Sequence, residues 1–453
     1  MVKVMKWRSP KNWRDVRFLA GPRLPIGVYP SAVLKDLPAD TQPVVRLRYV
    51  DGENLFVNWV WDHQLNSPRM VAFERASVTA ALDELARALP TPMPGETGED
   101  ALRRALTDGV LLDPVREQQL AELLTSTLIP EWLALELNEL EMAGRRAHVR
   151  VQLSPSTAHV PWELLSTSEG ARSIDMLDVS TLLPASLRND PARVVSQWRP
   201  DSPVAAVLDP AVPGFNVASE LGSVLGAVTE QSPLTEMVAD LGDRLRPAVG
   251  EPQEAFRRRD VGRAALADAA QDAGRLLYVG HVTASTHALD ARMHLSDAAD
   301  APGLTAPIGR HRPYSAADIA LGTTDLPALR APNRVALIAC DSGGDMRFAE
   351  PTGLIAAFTA RGAEYVTATR WTLPTEAGLR RFAPVLGDRA EGMLTDAILA
   401  VNEAHDAADP VAALVLWQRA QRRRWTETGD PRYSPIIWGT LTTSWAPVPP
   451  AVA

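Results

Sequence analysis

Apolar residues fall into two patterns along this chain. Short unbroken apolar runs alternate with longer stretches in which apolar residues recur every three or four positions. The first pattern marks strands buried on both faces, and the second marks helices with one buried side. Beyond residue 203 the two interleave. Strands are expected over 204–208, 275–280, 334–339 and 365–369, separated by helical stretches at 217–228, 261–272, 315–321 and 352–360. Ser315 stands where an N-cap belongs, and Gly362 where a helix closes. Residues 242–260 are rich in Pro, Gly and Arg and read as a loop. Two more helical segments occupy 375–425, and a last strand is expected over 436–443. Strands interleaved with helices predict an α/β fold with a mainly parallel sheet covered on both faces.

The N-terminal part reads differently. Residues 1 to 40 show no period. Val44–Tyr49 alternates, Asp51-Gly52 signals a turn, and Leu55–Trp61 resumes the strand, which predicts a β-hairpin. A helix is expected over 70–89, with Val78, Leu82, Leu85 and Leu89 on its apolar side. Pro90–Gly95 ends it, 99–141 is helical, and 147–153 is a strand. These patterns divide the chain into an accessory α+β region over residues 1–140 and an α/β domain over 141–453. The tryptophans Trp7, Trp13, Trp59 and Trp61 are expected to pack on the core.

Composition narrows the function classes. The chain has 453 residues, 46% of them hydrophobic and 22% charged, which fits an ordinary globular protein. A formal net charge of −9 argues against nucleic acid as the main partner. The basic runs Arg257–Arg259 and Arg422–Arg424 read as solvated faces. The N-terminus lacks a signal-peptide core, and no segment reaches the roughly 18 apolar residues that span a bilayer. A single cysteine excludes a disulfide framework and suits a reducing cytoplasm. The scattered histidines give no metal-ligand spacing, and Asp297–Asp300 reads as a solvated loop. No P-loop or GxGxxG is present, so neither a metal nor another cofactor is expected.

Two apolar runs end abruptly in reactive residues. Arg334–Ala339 ends at Cys340, followed by the turn cluster Asp341-Ser342-Gly343-Gly344, and Leu276–Gly280 ends at His281. If the two strands are parallel neighbours, both residues stand on one edge of the sheet, where open α/β folds build their sites. A free thiol is only a few per cent thiolate at neutral pH, and an imidazole nearby can take its proton during attack. Backbone N–H groups at Cys340 and around Gly280–Val282 are candidate oxyanion donors, and Gly343 would let the loop approach a substrate. Asp209 ends the strand Val204–Leu208, and Glu163 follows a Pro-Trp pair; both fit a pocket or a helix cap. An inert buried thiol remains the alternative.

Four stretches together resemble the CHAT domain, a family of caspase-like cysteine peptidases related to separases and gingipains. They are Val160-Pro-Trp-Glu-Leu-Leu165, Gly280-His281, Ala339-Cys-Asp-Ser-Gly343, and Gly362-Ala363 followed by a strand ending at Trp371. The closing Tyr433-Ser-Pro-Ile-Ile-Trp438 fits as well. The resemblance covers about residues 145–445 and extends to the hairpin at 44–61. It implies a caspase-like α/β/α sandwich in which His281 is the general base and Cys340 the nucleophile. It further implies an endopeptidase that cuts a partner protein, and a bacterial defence or cell-death circuit in which a sensor or regulatory protein triggers it. Asp209, Asp341, Arg370, Trp371 and Glu376 are the candidate substrate-pocket residues. The sequence departs from the family at two points. Val282 follows the histidine where glycine is usual, and the first acid after Trp371 is Glu376. These departures keep a second reading open, a caspase-fold scaffold that binds protein partners without cutting them.

Overall fold

The computed structural model describes residues 32–167, 170–348 and 352–447. Trp7 and Trp13 lie outside them. The strands are β1 (Val44–Asp51), β2 (Leu55–Trp61), β3 (Arg69–Phe73), β4 (Ala147–Gln152), β5 (Leu177–Thr181), β6 (Val204–Leu208) and β7 (Leu245–Arg246). They continue with β8 (Arg275–Val279), β9 (Val282–Thr283), β10 (Arg292–Met293), β11 (Tyr314–Ser315), β12 (Arg334–Ile338), β13 (Tyr365–Thr369) and β14 (Leu441–Trp445). Eleven of them form one sheet in the order β3-β2-β1-β4-β5-β14-β13-β12-β8-β6-β7. The pairings are parallel except for β3–β2, β2–β1 and β14–β13. This is the mainly parallel α/β architecture that the alternating pattern predicted.

The two faces of the central strands explain their unbroken apolar character. Side chains alternate across a strand, so each apolar residue must find cover on one side or the other. Leu277, Val279, Ala336 and Ile338 pack with Leu394, Ile398 and Val401 of the helix Met393–Asp406. Leu276, Tyr278, Val335 and Leu337 face the opposite way. They pack with Leu266 of the helix Arg263–Asp272 and Phe358 of the helix Leu354–Ala360. Each large side chain buried this way contributes roughly 1.5–3 kcal/mol.

The amino ends of β8 and β12 carry Arg275 and Arg334, which are register partners. Arg275 donates to Asn402 Oδ1 at 2.8 Å and to Asp406 at 2.9 Å, while Arg334 donates to the His405 carbonyl at 2.7 Å. Both cations therefore grip the C-terminal turn of the helix Met393–Asp406, where carbonyls are unpaired and the helix dipole is negative.

The predicted hairpin is present, with Asp51 opposite Leu55, and it continues the same sheet because β1 pairs in parallel with β4. Its buried face carries Val45, Leu47, Tyr49, Leu55, Val57, Trp59 and Trp61. The indoles of Trp59 and Trp61 both donate to Glu136 Oε2, at 2.9 and 3.0 Å. These two tryptophans are core residues, as the sequence suggests.

Several elements differ from expectation. Residues 69–73 form β3, and the helix starts only at Arg75, because this segment pairs with β2. The stretch 99–141 is broken by Pro114 and Pro130 into the helices Gly98–Thr107, Pro114–Leu128 and Glu131–Met142. The stretch 375–425 holds three helices, Glu376–Phe382, Met393–Asp406 and Pro410–Thr428. Residues 217–228 are a loop despite their apolar spacing. The N–H groups of Val224 and Leu225 go to the Asp209 carboxylate, at 3.0 and 3.5 Å, and are lost to any helix. The closing strand is displaced: Pro435 opens the helical turn Pro435–Trp438, and β14 follows. β5 is an additional strand, with Asp178, Ser180 and Thr181 interrupting its apolar character.

Burial also sets the acid stability. His148 and His159 are pushed down from 6.5 to about 4, and His294 and His405 to about 3, in each case mainly by desolvation. Neutral rings in the fold that charge on unfolding mean that the unfolded chain binds more protons below pH 6.5. Stability is then complete above about pH 6.5 and falls as pH drops toward the folded values. Denaturant titrations from pH 7 to 4.5 should show this fall. His405→Asn should make its slope with pH shallower, whatever it does to stability at pH 7; an unchanged slope would contradict this origin.

Candidate active site

The carboxyl ends of β6, β8, β12 and β13 lie side by side. Their next residues are Asp209, Gly280-His281, Ala339-Cys340 and Arg370-Trp371. Val279 and Ile338 are register partners, so His281 and Cys340 each stand two residues past matched positions on adjacent parallel strands. The sheet therefore brings the imidazole and the only thiol to one edge.

His281 is half-buried, and its Nε2 lies 3.1 Å from the Gly222 carbonyl oxygen. A carbonyl only accepts, so Nε2 carries the proton and Nδ1 holds the lone pair of the neutral ring. Burial lowers the affinity of His281 for a second proton; the bond to Gly222 and the nearby Asp209 charge act in the opposite direction. The Tyr278 hydroxyl donates to the His281 carbonyl at 2.7 Å and holds the backbone. Gly280 must be glycine here, since a Cβ would lie 2.7 Å from that hydroxyl.

Cys340 donates its S–H to the Leu373 carbonyl at 3.5 Å. Desolvation pushes its titration above the usual thiol value, and the Leu373 contact only partly offsets this. The resting pair is thus a neutral imidazole and a protonated thiol.

The residue after the thiol, Asp341, has a left-handed backbone at φ 49°. Its carboxylate is in an ion pair with Arg347 at 2.8 Å. A shallow cleft lies between Ala284, Ser285 and His287 on one side and Asp341, Arg347 and Phe348 on the other. This places Asp341 on a groove formed by the loops that follow His281 and Cys340.

The other expected pocket residues stand elsewhere. Arg370 is 3% exposed and makes a bidentate pair with Glu163 at 2.7 and 2.8 Å. Its charge is therefore spent inside the protein, on the glutamate of the upstream Pro-Trp-Glu stretch. Trp371 is fully buried and donates to the Ile436 carbonyl at 3.2 Å. Glu376 accepts from the Gly392 N–H at 3.0 Å and links two helix starts. Asp209 is 1% exposed, and its carboxylate is occupied by the loop at 223–225. Of the backbone donors, the Gly280 N–H bonds the Ile338 carbonyl at 3.3 Å and the Gly343 N–H bonds the Thr369 carbonyl at 2.9 Å. Val282 lies in β9, opposite Met293. Asp297, read above as part of a solvated loop, is buried instead and accepts the Arg263 N–H at 3.1 Å at a helix start.

Sequence reasoning missed two participants. Gly222 and Arg257 lie far from both reactive residues along the chain, and Arg257 stood in a run read as a solvated face. Its Nη1 instead reaches the Gly222 carbonyl at 3.0 Å. The Pro/Gly-rich surroundings of Arg257 were the available sign that the backbone turns sharply there.

A family model for the CHAT domain matches residues 118–444. No curated protein matches the chain. Among solved structures, two of the Saccharomyces cerevisiae separase–securin complex, at 3.0 and 2.6 Å resolution, are similar. Identity is 10% and 11%, with TM-scores of 0.45 and 0.42. Each match covers 89% of this chain and 30% of the other, so the chain spans less than a third of the length of those structures.

The Glu163–Arg370 pair is testable by stability alone. Removing one partner leaves a buried charge unpaired, so Glu163→Ala or Arg370→Ala should each cost about 3–5 kcal/mol in denaturant unfolding. Replacing both, as Glu163→Gln with Arg370→Met, should cost less than the sum of the two single changes. Additive losses would show that the pair is not coupled.

Proposed function

The chain belongs to the CHAT-domain family, and on that premise we propose that it is a cysteine endopeptidase acting through Cys340 and His281. The observation that carries this reading is the β8–β12 register, which sets a thiol and an imidazole at matched strand ends. His281 Nδ1 accepts the Cys340 proton as the sulfur attacks a peptide carbonyl. The negative charge on that oxygen is met by a backbone donor, for which we take the Cys340 N–H because the Gly280 and Gly343 N–H groups are already bonded within the fold. The tetrahedral intermediate collapses to a thioester, and the imidazolium returns its proton to the departing amine. Water, deprotonated by the same ring, then hydrolyses the thioester and restores the thiol.

The resting geometry supports a gated enzyme. With its S–H on the Leu373 carbonyl and its titration raised, Cys340 must turn from Leu373 before it attacks. Docking of a regulatory or sensor protein would supply that change, in a cytoplasmic circuit of the bacterial defence or cell-death kind. The acidic balance of −9 supports a protein substrate over nucleic acid. Among the described residues, no helix is long and apolar enough to cross a membrane.

The same contact favours a second reading, in which Cys340 never turns and the protein is a partner-binding scaffold. Two measurements separate the readings. Incubation of the protein with lysate of its host, with and without stress-induced extract, should release new protein N-termini. Cys340→Ala and His281→Ala should each lower their yield on the order of a thousandfold or more. Equal yields from Cys340→Ala and wild type would rule out the peptidase. Alkylation of the single thiol by iodoacetamide gives the resting state. Its midpoint should lie above that of the unfolded chain, because the folded thiol holds its proton to higher pH, and an activating extract should lower it.

A further inference from the structure

The described residues include four non-glycine positions with left-handed backbone, Asp36, Asp209, Arg257 and Asp341. Asp341 follows the thiol. Asp209 and Arg257, at φ 50° and 55°, belong to the surroundings of His281. Strained backbone of this kind persists only where neighbouring contacts hold it, and it gathers at functional sites.

The contacts that hold Asp209 and Arg257 converge on one oxygen. The Asp209 backbone N–H bonds the Val279 carbonyl at 2.6 Å, just ahead of Gly280-His281. Its carboxylate accepts from the Ser223 hydroxyl at 2.5 Å and the Val224 N–H at 3.0 Å, and so shapes the loop around Gly222. Arg257 Nη1 lies 3.4 Å from Asp209 Oδ1, 3.3 Å from the Pro210 carbonyl and 3.0 Å from the Gly222 carbonyl. That last oxygen also receives His281 Nε2–H, at 3.1 Å. A carbonyl has two lone pairs and can accept both. Position 222 has no room for a side chain, since a Cβ would lie 2.2 Å from the Val217 carbonyl oxygen. Loop, carboxylate and guanidinium together hold one acceptor in place against one ring nitrogen.

We infer that Asp209 and Arg257 are positioning residues that hold the Gly222 carbonyl against His281 Nε2–H and thereby keep Nδ1 as the free base. Neither touches the substrate; they act through Gly222. The inference rests on the proposed His281–Cys340 dyad and adds the device that orients its base. The burial of Asp209 and the non-helical course of residues 217–228 then have one cause. Of the charges near the ring, Asp209 and the weaker Glu220 favour its protonation, and Arg257 opposes it.

The test is NMR of the full chain labelled with 15N-histidine, with His281→Gln identifying the signal. In the wild type, the His281 Nε2–H should be protected from solvent exchange by its carbonyl. Arg257→Gln and Asp209→Asn should each speed that exchange by about tenfold or more, the effect of losing one charge-assisted hydrogen bond. Arg257→Lys, which keeps a cationic donor, should restore protection in part. On a substrate found by N-terminal profiling, kcat should fall by about tenfold with KM unchanged, since a misaimed base affects the chemical step. Should Asp209→Asn fail to fold, Arg257→Gln carries the test, as the Arg257 side chain is 24% exposed. Unchanged protection in Arg257→Gln would overturn the inference. Failure of the dyad reads differently: His281→Gln would then leave cleavage and Cys340 alkylation at wild-type rates.

Discussion

The parallel ladder between β8 and β12 carries no charged side chain along its middle, and its one polar group there, the Tyr278 hydroxyl, donates to the His281 carbonyl. All of its residues are buried, and helices cover both faces. An unpaired polar group placed there would lose its water and gain nothing in return. Charged and catalytic side chains are therefore confined to the strand ends. The amino ends carry Arg275 and Arg334, which find partners in a helix terminus. The carboxyl ends carry His281 and Cys340, which open onto loops. The position of the candidate site follows from the packing of the core, because the same ladder that excludes charged groups also aligns the two ends that bear them.

Buried ion pairs then set the walls of that edge. Arg370 continues β13 past its last residue and meets Glu163, which lies more than 200 residues earlier in the chain. The Arg172–Glu117 pair repeats the arrangement at 2.6 Å, with the Trp425 indole donating to the same carboxylate oxygen at 3.2 Å. Pairs of this kind offset desolvation only when both partners are present and well aligned. Their effect is to specify which segments meet. Arg370–Glu163 fastens the Pro-Trp-Glu stretch beside the loop after Cys340, and leaves the groove without the cation that a reading of Arg370 as a pocket residue would place there.

The electrostatics of the site favour rest. Desolvation acts on both members of the proposed dyad and disfavours the charged form of each, so the imidazole and the thiol are neutral. Thiolate formation needs either a move of Cys340 from the Leu373 carbonyl or the transient proton transfer of catalysis. On the proposed reading, a fold that keeps the Cys340 thiol protonated until a loop shifts suits an enzyme under the control of a partner.

By itself the sequence determined the secondary frame and the two reactive ends. The apolar runs at 276–279 and 335–338 read as strands buried on both sides, and the residues that end them were legible without coordinates. The hairpin at 44–61, the capped helix at 315–321 and the family motifs were legible for the same reason: each is written in local pattern or short spacing. Tertiary structure decided whatever depends on partners distant in the chain. The spacing of 217–228 is helical, yet Asp209 takes its amide protons, and no local pattern records that competition. Arg370 looked like a pocket cation until Glu163 was seen beside it. Arg257 looked solvated until the loop brought Gly222 against it. Periodicity reports which face of a segment is buried, whereas the site depends on which donors find which acceptors, and that is settled only when the chain has closed on itself.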